Sequence, residues 1–124
     1  MLTAASNALS AFAMRQAVTA HNIANINTDG YKAKSLPLEE LPDRQGVKAQ
    51  KVQEDSSPGP LKEGIVEKNG GNDSRFEMQT VEGSNTSLVN EITSLMQNEN
   101  AFEANAKVVR VSQEMSGRIL DLVA

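Results

Sequence analysis

The chain has 124 residues, a formal net charge of −4 at pH 7, no cysteine, no tryptophan and 3 % aromatic residues. A single domain of this length with so few large side chains builds only a shallow, mainly aliphatic core. The mean hydropathy of −0.41 argues against a membrane span. The net negative charge argues against general electrostatic binding of nucleic acid. Because there are no cysteines, disulfides and thiolate metal sites are excluded.

The first predicted element is a helix over residues 3–27. Apolar residues recur at alternating steps of three and four along one face, with a polar gap near the middle, and frequent alanines raise the helix propensity. The sequence Thr28-Asp29-Gly30 then indicates the helix end, with Gly30 in the left-handed position that follows a helix. The apolar face, called here the N-terminal stripe, consists of Leu2, Ala5, Leu9, Phe12, Ile23 and Ile26.

The middle of the chain, residues 31–84, contains all four prolines and is not expected to be helical. Both a small sheet and a partly disordered insert fit this composition. Short β-strands are predicted at 47–52, 62–68 and 75–81, with "KNGGND" (68–73) as a hairpin loop and the proline-containing residues 55–60 as an extended connector.

The last predicted element is a helix over residues 87–123, capped by one of Asn85, Thr86 and Ser87. It would be roughly 55 Å long against roughly 37 Å for the first helix, so the shorter helix cannot cover it. Gly117 indicates a close backbone approach or a slight bend. The apolar face, called here the C-terminal stripe, consists of Leu88, Ile92, Leu95, Phe102, Ala106, Val109 and Leu120.

These elements predict a mainly α fold. Two long terminal amphipathic helices would pack as an antiparallel coiled-coil-like pair, with a small irregular or β-containing insert between them. The boundaries are 1–30 for the N-terminal helix and turn, 31–84 for the insert and 85–124 for the C-terminal helix, the two helices forming one domain. Because part of the apolar surface is left uncovered, the sequence favours an assembly protein whose helices pack against copies of itself or relatives.

No convincing catalytic or metal site is found in the sequence. His21 is the only histidine, and without a second imidazole or a thiolate it forms neither a metal centre nor a catalytic triad. A histidine on a helix surface is the simpler interpretation. No cofactor is expected, and a cleft assembled between chains is the one enzymatic alternative left open.

Two stretches at opposite ends of the chain carry a resemblance. "LSAFAMRQAVTAHNIANINTDGYKAKSL" (9–36) and "LVNEITSLMQNENAFEANAKVVRVSQEMSGRILDL" (88–122) are similar to the terminal signatures of bacterial flagellar basal-body rod and hook axial proteins. The length most resembles the short, proximal rod proteins; a distal rod or hook-type paralogue and a non-flagellar coiled-coil assembly or adaptor protein are the alternatives. The residues that match the family motif and turn are Asn22, Ile23, Ala24, Asn25, Thr28, Gly30, Tyr31 and Lys32.

The resemblance implies a structural subunit of the rod. Such subunits are exported unfolded through the flagellar type III export apparatus, with an uncleaved N-terminal region as the signal, and polymerise in the periplasm with copies of themselves and other rod and hook proteins into a hollow drive shaft. Residues 1–10 contain no Lys or Arg, which agrees with the lack of a cleaved signal peptide. Neither nucleic acid binding nor direct membrane insertion is implied. The assembly interface would comprise Leu2, Leu9, Phe12, Ile23, Ile26 and the whole C-terminal stripe.

The resemblance also bears on an unusual feature of the motif, its three asparagines. Asn22, Asn25 and Asn27 are poor residues for a helix interior because their amides compete for backbone hydrogen bonds. We expect these amides to bind exposed carbonyl groups at their own helix end or on an adjacent subunit, and so to specify register. The simpler alternative is that they only terminate the helix.

Overall fold

In the computed structural model, which describes residues 2–70 and 73–123, one long helix precedes and another follows a short insert of β-strands. This arrangement confirms the predicted fold class. The elements in chain order are α1 (Leu2–Ala24), β1 (Lys34–Ser35), β2 (Leu38–Glu40), a 3₁₀ turn (Pro42–Arg44), β3 (Val47–Ala49), β4 (Gln53–Glu54), β5 (Leu61–Gly70), β6 (Asp73–Glu82) and α2 (Leu88–Val123).

Helix α1 ends at Ala24, three residues before the predicted end at 27. Beyond it the backbone forms successive tight turns, in which the N–H of Ile26 donates to the carbonyl of Ile23 and that of Thr28 to Asn25. Gly30 has the predicted left-handed conformation, with a φ of 72°, but it does not directly follow the helix. It lies third in the turn closed by the Tyr31 N–H and the Thr28 carbonyl, a position where glycine adopts positive φ without strain.

The insert consists of three separate antiparallel two-stranded ribbons rather than one sheet. β1 pairs with β4, β2 with β3, and β5 with β6 over ten residue pairs, from Leu61 opposite Glu82 to Gly70 opposite Asp73. Of the predicted strand at 47–52, only residues 47–49 form a strand, β3, and β4 begins after it at Gln53 and pairs with a different partner. The predicted strands at 62–68 and 75–81 lie within β5 and β6, and residues 55–60 form the expected irregular connector. The centre of the predicted hairpin loop, residues 71–72, lies outside the described residues.

The two helices run antiparallel, as contacts at both ends of α1 show. Val109 lines the same small depression as Leu2 and Leu9, at the start of α1. At the other end, the Asn85 N–H donates to the Tyr31 carbonyl at 3.1 Å, just before α2 begins. Helix α2 therefore continues past the start of α1 from about residue 113, since Ser112 is its last half-buried residue, and no described helix lies beside it from there. Apart from the neighbouring backbone of α2 itself, no described atom lies within 4 Å of where a Cβ on Gly117 would be, so the predicted close approach is not found among the described residues.

The face of α2 that packs toward α1 is mainly polar and small, and it takes in only part of the predicted apolar stripe, the half-buried Leu95, Ala106 and Val109. Asn98 is 4 % exposed and lies at the centre of this face. The face is displaced by one sequence position from the C-terminal stripe, so that Phe102 of the stripe remains 42 % exposed. The other half-buried members of the pairing face follow the same alternating steps of three and four: Glu91, Ser94, Ala101, Asn105 and Ser112.

Few side chains are fully buried. Within the described residues, the buried hydrophobic side chains are Ala5, Ala8, Ala11 and Leu36. Three methyl groups and one leucine remove little apolar area from water, and burial at roughly 25 cal/mol per Å² is the main term that offsets the entropy of ordering a chain. The single chain is therefore stabilised weakly. None of the described helices is both long and apolar enough to cross a membrane.

We predict that the dilute chain is weakly helical. Its helices have too few internal partners, so helicity should rise with protein concentration, and thermal unfolding at low concentration should be broad. Circular dichroism over a concentration series measures both quantities. An osmolyte such as trimethylamine oxide should raise the helicity because it strengthens burial. A sharp thermal unfolding transition that does not depend on protein concentration would contradict this prediction, because it would show that the small core stabilises the single chain by itself.

Candidate functional site: the exit of the first helix

The side-chain amide of Asn22 joins the end of α1 to the first strand of the insert. Asn22 is 1 % exposed. Its Nδ2 donates to the Lys34 carbonyl at 2.6 Å, and its Oδ1 accepts from the Lys34 N–H at 2.9 Å and from the Tyr31 hydroxyl at 2.8 Å. Asn22 thus binds both backbone groups of Lys34, as a neighbouring strand would. A helical residue thereby fixes the direction in which the insert leaves the helix.

The second motif asparagine, Asn25, binds at the helix end itself. Its Nδ2 donates to the His21 carbonyl at 2.8 Å, and its Oδ1 accepts from the Thr28 hydroxyl at 3.1 Å. A carbonyl in the last turn of α1 therefore gains a side-chain partner, which helps to explain why the regular helix stops at Ala24. Asn27 is exposed.

Tyr31 contacts both the last turn of α1 and the segment that precedes α2. Its ring lies against His21 with centroids 5.9 Å apart and a tilt of 59°, and its carbonyl accepts from Asn85 ahead of α2. Partial burial raises the pKa of the Tyr31 hydroxyl, and the nearby carboxylates of Glu91 and Glu54 raise it further. The hydroxyl is therefore kept neutral, in the form that donates a hydrogen bond to Asn22.

Lys32 and Glu82 form the charged part of the same region. The Lys32 ammonium pairs with the Glu82 carboxylate and also donates to the Ser57 carbonyl at 2.9 Å. Glu82 Oε1 accepts a further hydrogen bond from the Gly59 N–H at 2.8 Å. The hydrogen bond from Lys32, followed by that from Gly59, lowers the pKa of the Glu82 carboxyl.

A third asparagine, Asn85, connects the segment before α2 to the insert. Its Nδ2 donates to the carbonyls of Asp55 and Ser57 at 2.8 and 2.9 Å, and its Oδ1 accepts from the Ala33 N–H at 2.6 Å. The Asp55 N–H donates in turn to the Ala33 carbonyl at 2.8 Å. We call the whole set the exit cluster: Asn22, Asn25, Thr28, Tyr31, Lys32, Lys34, Asp55, Ser57, Glu82 and Asn85.

Sequence reasoning identified only the N-terminal half of the exit cluster. Asn85 was considered as a helix cap, but its side chain binds the insert, and the carbonyl of Ser87 accepts the first helical hydrogen bond of α2. The role of Glu82 could not be predicted from neighbouring residues, because its partner Lys32 is 50 residues away in the sequence. Such pairs become visible only when the chain is folded.

The structure divides the predicted assembly interface into half-buried and exposed residues. Half-buried residues are Leu9, Phe12, Ile23, Ile26, Leu95, Ala106 and Val109, and exposed residues are Leu2, Leu88, Ile92, Phe102 and Leu120. None of them is fully buried. Most of the apolar surface of α2 is therefore not used within the chain.

The exit cluster contains groups that bind one another but no reactive arrangement. His21 is exposed, and its ring lies tilted against that of Tyr31. Over residues 2–70 and 73–123, no group of three His, Cys, Asp or Glu side chains lies close enough together to hold a metal ion. The charges and amides of the site position backbone segments, which is a structural role.

Comparison with protein families identifies both ends of the chain. Residues 2–32 match the model described as flagella basal body rod protein, and residues 77–122 match the one described as flagellar basal body rod FlgEFG protein C-terminal. The chain belongs to the flagellar rod and hook family. It is a structural protein of the flagellar basal-body rod. No curated protein sequence matches this flagellar protein closely enough to count as a relative.

The two matched segments of this rod protein meet in the exit cluster. The Gly30 N–H donates to the Glu82 carbonyl at 2.8 Å, the Asn85 N–H donates to Tyr31, and Lys32 pairs with Glu82. Residues 33–76, which neither model covers, form most of the insert. The family segments thus provide both helices and the junction that holds them together.

We predict that Asn22→Ala strongly destabilises the rod protein. The change leaves both backbone groups of Lys34 and the Tyr31 hydroxyl without their partner, and because each unsatisfied buried group costs about 1–3 kcal/mol, we expect a loss of roughly 2–4 kcal/mol. Urea unfolding followed by circular dichroism, in an osmolyte that keeps the native chain folded, measures it. Asn27→Ala is the matched control and should change stability little. Equal stabilities of the two variants would contradict the role given to Asn22.

We also predict a loss of stability in acid that depends on Glu82. Its pKa in the folded chain lies below the ordinary value of 4.5, so its ionised form stabilises the fold above that pH, and this contribution disappears as the pH falls through the lowered pKa. Asp55, whose pKa is lowered from 3.8 mainly by hydrogen bonds from Ser57, acts in the same direction. Helicity at fixed concentration should fall below about pH 4.5. The Glu82→Gln variant should be less stable than the native chain at pH 7 and should lose less helicity as the pH falls. If it loses as much helicity in acid as the native chain, Glu82 is not the cause of the acid sensitivity.

Proposed function

We propose that this chain is a proximal rod subunit that polymerises through its terminal helices into the hollow axial drive shaft. The observation that carries the proposal is the displaced pairing face of α2. The mainly polar face of α2, with Asn98 at its centre, packs against α1, and Ile92 and Phe102 remain exposed on the apolar side of the helix. Exposed apolar stripes on a helix of 36 residues are a liability unless other subunits cover them.

The small insert supports a proximal position along the rod. Only residues 33–76 separate the two family segments, and they form two very short ribbons and part of a hairpin. Distal rod and hook proteins, as the resemblance implies, carry much larger β domains in this place. A distal rod or hook-type paralogue is the second candidate. The partners proposed are copies of this chain and other rod and hook axial proteins.

We also propose that the subunit reaches the periplasm through the flagellar type III export apparatus, with α1 in an uncleaved signal. The small core supports this route, because an export substrate must cross a narrow channel unfolded and then fold with its neighbours. Four buried hydrophobic residues in the described chain oppose unfolding only weakly. Assembly then supplies the burial that the single chain does not have.

We predict that Phe102→Ala is exported normally but does not build a stable rod. In the single chain Phe102 is 42 % exposed, so its truncation costs little; in a packed interface between subunits the same change costs about 3 to 5 kcal/mol at each copy. Motility in soft agar measures assembly, and immunoblotting of periplasmic fractions measures export. The expected result is normal periplasmic protein with a large loss of swimming.

Two further variants make this experiment decisive. Glu103→Ala, on the same turn of α2 and exposed, is the matched control and should swim normally. Deletion of residues 2–27 is the export control and should keep the protein in the cytoplasm. Normal swimming of Phe102→Ala cells would mean that this stripe is not the assembly interface, and normal periplasmic delivery of the deletion variant would contradict the export route.

A further inference from the structure

An apolar groove lies between α1 and the insert, on a different face of α1 from the one that packs against α2. Its volume is about 550 Å³, and it continues into a second depression of about 500 Å³ that shares three of its residues. Met14, on the floor of the groove, is 55 % exposed. The apolar lining comes from both elements: Ala11, Met14, Ala17 and Val18 from α1, and Leu36 and Val52 from the insert.

A second unpartnered apolar surface, which we call the tail stripe, lies on the C-terminal half of α2. Its residues follow steps of three, four, four and three, so they lie on one side of the helix, away from the side on which Val109 meets the start of α1. They are 38 to 86 % exposed. The tail stripe consists of Val108, Val111, Met115, Ile119 and Leu122.

We propose that the tail stripe of one copy docks into the groove between α1 and the insert of a second copy. This inference rests on the proposed function, because it names the contact through which subunits join. The tail cannot reach the groove of its own chain, since α2 is one continuous helix that runs past the start of α1 to Val123. The occupant must therefore come from another molecule.

The two surfaces agree in length and chemistry. The groove and its extension follow α1 from Asn7 to His21, and the tail stripe extends from Val108 to Leu122; at 1.5 Å per residue each is about 21 Å long. The stripe contains no charged or polar member, which suits the alanine, valine and methionine side chains that α1 contributes to the groove. Polar side chains also line the two depressions, among them Lys48 and Gln50 in the groove and Lys34 and Glu54 in its extension. Alanine at position 17 of the floor leaves room for a helix to approach closely.

The other exposed apolar surface fits the groove less well. On one face of the β5–β6 hairpin, Leu61 and Ile65 alternate with Glu63, which lies opposite Thr80. Docking that face would bring a carboxylate into a groove whose cation, Lys48, already pairs with Glu39, and a buried charge without a partner is costly. The helical tail stripe brings no such group.

A contact between a tail and a groove has a direct consequence for assembly. The two surfaces differ, so each docked copy still presents a free tail stripe or a free groove to the next one. Head-to-tail interfaces of this kind give rings where the rotation between copies closes and open helical polymers where it does not, whereas a surface that pairs with itself gives a closed dimer. The proposed contact therefore suits an axial polymer, because it can repeat from copy to copy without an additional interface type.

Cross-linking between engineered cysteines tests this contact, because the native chain has none. Two differently tagged copies are co-expressed, one carrying Met14→Cys in the groove and the other Met115→Cys in the tail stripe. Each single variant is first checked for swimming, and Ser10→Cys, in the same groove, replaces Met14→Cys if the latter is immotile. Basal bodies are then treated with a short bismaleimide. Mixed dimers carrying both tags are the expected product.

The matched control places the tail cysteine on the other side of the same turn. Gln113→Cys is exposed but lies off the tail stripe, so Met14→Cys should give several times fewer mixed dimers with it than with Met115→Cys. Equal yields, no mixed dimers in swimming cells, or cross-links from the groove only to a different rod protein would each overturn the docking proposal and leave the proposed function intact. Absence of the native chain from basal bodies would overturn the proposed function itself.

Discussion

The fold depends on one buried amide. Asn22 binds the N–H and the carbonyl of Lys34 and accepts a hydrogen bond from Tyr31, so a single side chain fixes where the insert leaves the helix and where the tyrosine ring lies. Tyr31 and Lys32 are then in position to meet Asn85 and Glu82, which precede α2. Because these contacts connect segments about 50 residues apart, they set the direction in which α2 returns along α1.

A second constraint is the choice of face between the helices. The pair packs on a mainly polar and small face of α2, with Asn98 at its centre, and most of the apolar stripe one position further along the sequence remains exposed. A polar pairing face adds less stability than an apolar one. The result is a subunit with a weak core of its own and apolar surfaces that remain available to neighbours. Both properties suit a protein that must be unfolded for transport and ordered after it, as we propose for this chain.

Much of the local structure could be predicted from the sequence. The periodicity of both ends predicted α1 and α2 to within three residues, and the alternating patterns at 62–68 and 75–81 predicted the hairpin of β5 and β6. The asparagines of "HNIANINTDGYK" were recognised as hydrogen-bonding groups, and Asn25 does bind a carbonyl of its own helix. The partner of Asn22 could not be predicted, because Lys34 belongs to a strand whose position depends on the folded insert.

The sequence by itself therefore determined the helices, the extent of the insert and the family, since these follow from the spacing of apolar residues and from continuous motifs. Only the tertiary structure decided which stripe of α2 meets α1, because the C-terminal stripe and the pairing face share the same steps of three and four, and sequence alone favours the apolar one. It also decided that Glu82 and Asn85 belong with Lys32 and Tyr31. Hydrogen bonds and ion pairs depend on distances of about 3 Å between atoms, and such distances between remote segments exist only after the chain has folded.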